Sequence, residues 1–290
     1  GDSNGSNGPT TSIDLWESLT NEYINGAGDV FSSSQLTALQ ALVTRLGEYY
    51  LAERLQRRAL ALDEAQYGSD NDPHVIESMH NLMIVLKGKK DYAGTEDICR
   101  RLVTARTTVF GNHIDTAKTL DKLAEMLFRQ RVYEESESTY YAALAMKESC
   151  FGAEHESTLS TMDQLIEVLR AQEKYEDAVG ILEVALETRE KMLGKDSSLT
   201  MNNRFNYSLL LIKLRRLDEA ESALKILHTS RAKLYGSTHP QTITVLNLLG
   251  QLYEDTDRYL EAENAHQKCL KAREKALGGD HKDTLTSVFY

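Results

Sequence analysis

Proline is nearly missing from this chain of 290 residues, with Pro9, Pro73 and Pro240 the full complement. None falls inside a predicted helix, so nothing in the sequence forces long helices to break. Cysteine is equally scarce. Cys99, Cys150 and Cys269 lie more than 50 residues apart, cannot all pair with one another and form no C-x-x-C spacing. That excludes a disulfide framework and the usual zinc spacings, and reads as reduced intracellular thiols. Positive charge is in deficit, 33 Lys and Arg against 44 Asp and Glu, for a net charge of -11. Such a field disfavours nucleic acid and anionic membranes. Also absent is any apolar run near the ~20 residues of a membrane span. The longest lies around Leu209 to Ile212, and no charged-then-apolar leader opens the chain. The expectation is a cytoplasmic location, with no nucleic acid and no membrane as partner.

Motifs of chemistry are lacking too. His155-Glu156 has no second His at the spacing of a zinc-protease helix, Gly26-Ala27-Gly28 lacks the third glycine and a preceding strand, and no G-x-x-x-x-G-K-[ST] occurs. Asn206-Tyr207-Ser208 fits a glycosylation triplet but falls within a predicted helix. No catalytic residue, metal site or cofactor is expected, and the chain reads as a non-enzyme.

What is present is a repeat. A large apolar residue precedes Gly at Tyr67-Gly68, Phe110-Gly111, Phe151-Gly152, Leu193-Gly194, Tyr235-Gly236 and Leu277-Gly278, at spacings of 43, 41, 42, 42 and 42. Glycine just past a helix takes the left-handed conformation that closes the last turn, so each marks a helix end. Asp72-Pro73 and His239-Pro240 then place a capping residue before a proline whose missing N–H costs nothing at the first helical position. His113, His155 and His281 recur in the same connector and read as caps.

Half a period away, Tyr or Leu followed by a small residue (Ala52, Thr95, Ser136, Ala178, Ala220, Ala262) marks the hairpin turn and lets two helices approach closely. Ala59, Ala143, Ala185 and Cys269 fill a second small slot, so Cys269 reads as a core substitute for alanine. Between the markers the apolar spacing is helical, as in Leu120, Leu123, Met126 and Leu127. The fold class is therefore all-α, a right-handed α-solenoid of antiparallel helical hairpins. Residues 1–11 read as a flexible segment and 12–33 as a capping helix and loop, with Ile13, Trp16, Tyr23 and Ile24 on one side. Six hairpins follow over 34–66, 73–109, 115–150, 156–192, 199–234 and 240–276. Residues 277–290 match the start of a further repeat, which reads as truncated or as a surface for end-to-end self-association.

Leu234-Tyr-Gly-Ser-Thr-His-Pro-Gln-Thr242, then Leu246-Asn-Leu-Leu-Gly-Gln-Leu-Tyr253, then Tyr259-Leu-Glu-Ala-Glu263 resemble the 42-residue tetratricopeptide repeat (TPR) of kinesin light chains. Similar repeats occur in sensor regions of signalling NTPases and in stand-alone scaffolds. The resemblance implies a non-catalytic protein- or peptide-binding scaffold or adaptor whose first helices line a concave groove. By register the partner-binding residues are Asn81, Asp121, Lys122, Glu125, Asp163, Gln164, Glu167, Asn206 and Asn247. Asn81, Lys122, Gln164 and Asn206 can hydrogen-bond an extended peptide backbone. Asp121/Glu125 and Asp163/Glu167 are i, i+4 acid pairs one repeat apart, an arrangement that attracts Lys or Arg of a partner. An ordinary solvated face, paired to bases of adjacent helices, is the other reading of these four acids. Light-chain relatives use a basic groove, so the same cargo is not implied. A ligand-sensing or autoinhibitory region of a larger signalling NTPase and a self-associating array are the alternative functions.

Overall fold

The computed structural model describes residues 31–286. The flexible segment at 1–11 and the capping helix near Ile13 to Ile24 lie outside the described residues, as do residues 287–290. Helices α1 Ser33–Arg45, α2 Tyr49–Tyr67, α3 Pro73–Lys89, α4 Tyr92–Phe110, α5 Ile114–Arg129, α6 Tyr133–Phe151, α7 Glu156–Ala171, α8 Tyr175–Leu193, α9 Ser198–Lys213, α10 Leu217–Tyr235, α11 Pro240–Asp255, α12 Tyr259–Leu277 and the short α13 Lys282–Thr286 follow one another, with no strand among the described residues. The chain divides into two compact units, Gly1–Cys150 and Phe151–Tyr290.

In the first unit α1 packs on α2, α2 on α3, α3 on α4 and α4 on α5. In the second, α7 through α12 pack in the same consecutive manner. Each unit is thus a stack of helical hairpins of the α-solenoid kind, in which an element touches chiefly its neighbours in sequence. Polar bridges reveal two layers within a unit. First helices lie beside first helices, since Lys87 of α3 reaches Glu125 of α5 at 2.8 Å and Asn203 of α9 reaches Asp163 of α7 at 3.3 Å. Second helices neighbour second helices: Arg101 of α4 meets Glu64 of α2, and Arg258 at the start of α12 meets Glu221 of α10, both at 2.6 Å. Between the layers sit Met79, Leu82, Leu86, Leu102 and Leu127 in the first unit and Leu211, Leu224, Leu227, Val245 and Leu252 in the second, all buried. Each such side chain contributes about 1.5–3 kcal/mol on leaving water.

The small residues do what their size allows. Ala52, Thr95, Ser136, Ala178, Ala220 and Ala262 are all buried, and Ser136 uses its place to donate Oγ to the Ala124 carbonyl at 2.8 Å. Two kinds of connector alternate. Within a hairpin the turn residue has positive φ, and past the opening Gly47 that residue is charged: Lys90, Arg131, Glu173, Arg215 and Asp257. The next N–H bonds back across the turn, as Lys174 to the Leu169 carbonyl at 2.9 Å and Arg216 to the Leu211 carbonyl at 2.9 Å. This is a Schellman closure, and it satisfies carbonyls the helix end would otherwise leave open.

Between hairpins the connector is glycine-based. Gly68 is left-handed, but Gly194, Gly236 and Gly278 combine φ of 80° to 92° with ψ near 160°, a region only glycine occupies readily. The helix end is as the sequence indicated, while the conformation differs from the simple left-handed cap. At Gly236 and Gly278 the next helix gives the reason, since ψ near 160° turns the glycine carbonyl toward a buried threonine six residues on; after Gly194 the corresponding Thr200 donates instead to the Arg189 carbonyl at 3.5 Å. Thr158 donates to Gly152, Thr242 to Gly236 and Thr284 to Gly278 at 2.9–3.0 Å. His113, His155 and His239 accept at Nδ1 from the N–H two residues later, which fixes them as caps. The ring of His155 stacks on Phe151 at 4.3 Å and that of His239 on Tyr235 at 4.8 Å. Phe110, Phe151 and Tyr235, each just before its glycine, thus lie against the histidine cap of the following helix.

Cysteine reactivity follows from burial. Cys99 and Cys269 are buried and Cys150 is exposed. Burial pushes the Cys99 thiol up to about 12, far from the thiolate that reacts. In mildly alkaline buffer iodoacetamide is expected to modify Cys150 in the native chain and to reach Cys99 only once it unfolds, as timed quenching and peptide mass spectrometry will read.

Candidate functional site

The residues singled out by register all lie on first helices. In the first unit these are Asn81 on α3, half-buried, and Asp121, Lys122 and Glu125 on α5. Glu125 accepts from Lys87 at 2.8 Å and from Lys122 at 3.3 Å. Burial pushes its carboxyl up, but the two ammonium groups outweigh that and hold it below the ordinary carboxylate value. Asp121 is ion-paired to Lys147 of α6, a lysine only 3% exposed.

The second unit repeats the arrangement with stronger geometry. Asp163 on α7 takes a two-pronged contact from Arg189 of α8, Nη1 to Oδ1 at 2.8 Å and Nη2 to Oδ2 at 2.7 Å, with Asn203 of α9 adding a bond to Oδ1. Arg189 is 1% exposed. Burial works against its charge, and Asp163 with Glu156 more than offsets it, so the guanidinium is held above its ordinary range. Glu167 is exposed and bonds Arg170 one turn away at 2.9 Å, while Gln164 is exposed and unencumbered by any acid–base contact of its own. Asn206 on α9 and Asn247 on α11 are half-buried. Phe205 packs against the core of the unit, with the Arg231 guanidinium over its ring at 4.8 Å.

These partners belong to a pattern that the sequence reading missed. One position on the second helices holds Asp63, Arg106, Lys147, Arg189, Arg231 and Arg273, at spacings of 43, 41, 42, 42 and 42, and all but the half-buried Arg273 are buried. What the rung touches depends on the first helix of its hairpin. Where an acid stands there, Asp121 or Asp163, the cation takes it. Where His80 or Phe205 stands instead, the arginine crosses to the next helix. Arg106 donates to the Asp115 carbonyl at 3.1 Å, and Arg231 donates to the Gln241 carbonyl at 3.0 Å. With no carboxylate at hydrogen-bond distance, burial pulls both guanidiniums below their ordinary value. A buried cation needs a counter-charge or a full set of acceptors, so the acids at 121 and 163 have a structural duty in each unit. The signal was available, since the basic residues recur in the same register as the glycines.

No described helix is long and apolar enough to cross a membrane, and among the described residues no group of three or more His, Cys, Asp or Glu is placed to hold a metal ion. The comparisons agree with the hairpin architecture. The profile of the tetratricopeptide repeat matches residues 115–191 and 197–275. Among solved structures the chain is similar to the C-terminal part of a TPR repeat-containing protein from Cytophaga hutchinsonii, with a TM-score of 0.64 and 11% identity, covering 95% of this chain and 96% of that one. It is similar also to a protein from Podosopora anserina described as a kinesin light chain with nearly identical TPR-like repeats, at a TM-score of 0.60 and 17% identity, covering 70% of this chain and 96% of that one. A third similar structure is YrrB, described as a TPR protein with an unusual peptide-binding site, at a TM-score of 0.53 and 15% identity, covering 78% of this chain and 97% of that one. No curated protein sequence matches the chain. The matched profile covers more than half of the sequence, and the chain belongs to the tetratricopeptide repeat family.

Proposed function

We propose that this chain is a non-catalytic scaffold or adaptor that holds a protein partner through a linear peptide laid along the first helices of a unit. The observation that carries the reading is the division of labour on those helices. Asp121 and Asp163 are tied inward to nearly buried cations, whereas Asn81, Lys122, Gln164, Asn206 and Asn247 keep amide or ammonium groups at half-buried or exposed positions, one on each hairpin after the first. Regularly spaced amides suit an extended backbone, which offers an N–H and a carbonyl at every residue. A neighbour of the same fold is described as having a peptide-binding site, which supports the same use of the architecture.

The acids divide by role. Glu125 and Glu167 remain the candidates for contacting basic residues of a partner, because their own partners are partly exposed lysines and arginines. Asp121 and Asp163 are poor choices for a binding test, since charge reversal there would leave Lys147 and Arg189 buried beside a like charge. Selection of peptides on the purified chain by phage display, followed by titration of the selected peptide into Gln164→Ala/Asn206→Ala, is the direct test. Loss of two backbone hydrogen bonds is expected to weaken binding by about tenfold or more with the melting temperature unchanged. Unchanged affinity in the double variant, or no selectable peptide, would sink the reading.

A further inference from the structure

Near the start of the first unit lies a cavity of about 430 Å3 that the first-helix residues do not account for, apart from Asn81 on its wall. It opens between the N-terminal turn of α1, the end of α2 and the first turns of α3. Asp63 lies at its wall, 6% exposed, accepting Ser33 Oγ at 2.6 Å and the Ser78 hydroxyl. Both bonds fall on Oδ2, so neither serine occupies Oδ1. Asp63 occupies the rung that later hairpins fill with Arg106, Lys147, Arg189 and Arg231, so the charge of the ladder is inverted at this one step.

Glu77 adds a second, exposed carboxylate, and no lysine or arginine lines the cavity. The nearby Arg101 is already engaged by Glu64 and Asp70. The N-terminus of α1 contributes about half a positive charge at most, so two full carboxylates decide the sign. One side is formed by the Tyr67 and His74 rings, stacked 4.3 Å apart and parallel within 5°. A stacked aromatic pair beside a recessed acceptor set favours a planar cation with several donors over a compact ammonium.

We infer that this cavity is a pocket for the guanidinium of an arginine side chain carried by a partner peptide. Asp63 Oδ1 and the hydroxyls receive its N–H groups, the aromatic pair flanks its plane, and Asn81 holds the adjoining peptide backbone. The inference rests on the reading of the chain as a peptide-binding scaffold and names the side chain that it selects.

The test is a titration of the full chain with N-acetyl-arginine amide, followed through the amide resonances of Ser78 and Asn81. Saturable shifts are expected, with no response to N-acetyl-citrulline amide, which has the same shape without the charge. Asp63→Asn should weaken the probe by at least about tenfold. Glu77→Gln, at an exposed position where the fold is not at stake, should weaken it by about threefold. A silent titration, equal binding of the citrulline or lysine amides, or full binding by Glu77→Gln overturns the pocket. Should selected peptides bind while the arginine probe stays silent, the pocket alone falls; should the probe titrate when no peptide can be selected, the scaffold reading falls and the pocket stands.

Discussion

Replacing Asp163 with alanine is expected to cost the second unit about 3 kcal/mol. The carboxylate is the counter-charge of Arg189, whose side chain is 1% exposed and donates both prongs of the contact. Without it the guanidinium keeps only Glu156 at 3.7 Å, on a side chain that is mostly solvent-facing. Cutting one partner from a buried pair typically costs about 3–5 kcal/mol, because the remaining charge stays desolvated. The lower end applies because the Asp163 side chain is 38% exposed, so water can enter the vacated place. Glu167→Ala is the control from the same helix, one turn away. Its exposed i, i+3 pair with Arg170 is worth less than about 0.5 kcal/mol. Asp163→Leu combined with Arg189→Met removes both charges, and most of the loss is expected to return. Urea unfolding followed by circular dichroism gives the midpoints to compare, which is the sound quantity in a repeat array where a single two-state free energy is not assured. If Asp163→Ala moves the midpoint no further than Glu167→Ala, the buried arginine does not depend on this carboxylate.

The contrast between these two acids explains how much the sequence could disclose. Asp163 and Glu167 sit four apart on one helix and look alike as letters, yet one neutralises a buried cation and the other faces solvent. Only the depth of Arg189 separates them, and a long basic side chain in an amphipathic helix normally reads as surface. The hairpins were legible for the opposite reason. A positive φ with extended ψ admits almost nothing but glycine, so Gly194, Gly236 and Gly278 announce their own conformation. The turns inside the hairpins were not legible in that way, because Lys90, Arg131, Glu173, Arg215 and Asp257 accept a left-handed backbone that their side chains do not advertise. Closure by the Leu169 and Leu211 carbonyls offsets that strain, and such compensation is visible only in three dimensions. Asp63 was hidden too: it breaks the charge of its register, and a break has meaning only once the ladder is known.

Gly236→Ala is expected to cost about 2–3 kcal/mol, although an added methyl would meet nothing within 4 Å. The penalty is therefore not a clash with neighbours. It lies in the backbone, at φ 92° and ψ 160°, where any Cβ opposes its own main chain. Relaxing the strain would swing the Gly236 carbonyl away from Thr242, a residue with no exposed surface, and leave a buried hydroxyl without its 2.9 Å acceptor. It would also shift the path into His239, which caps α11 and stacks on Tyr235. Gly68 separates these causes. Its φ of 69° and ψ of 6° lie in the left-handed basin, which asparagine enters at modest cost. Gly68→Asn is accordingly expected to lower stability by under about 1 kcal/mol, and Gly236→Asn by as much as Gly236→Ala. Thermal melts of the three variants would decide: equal losses for asparagine at the two sites would mean that glycine serves both connectors alike, and that the extended ψ of the later ones carries no special constraint.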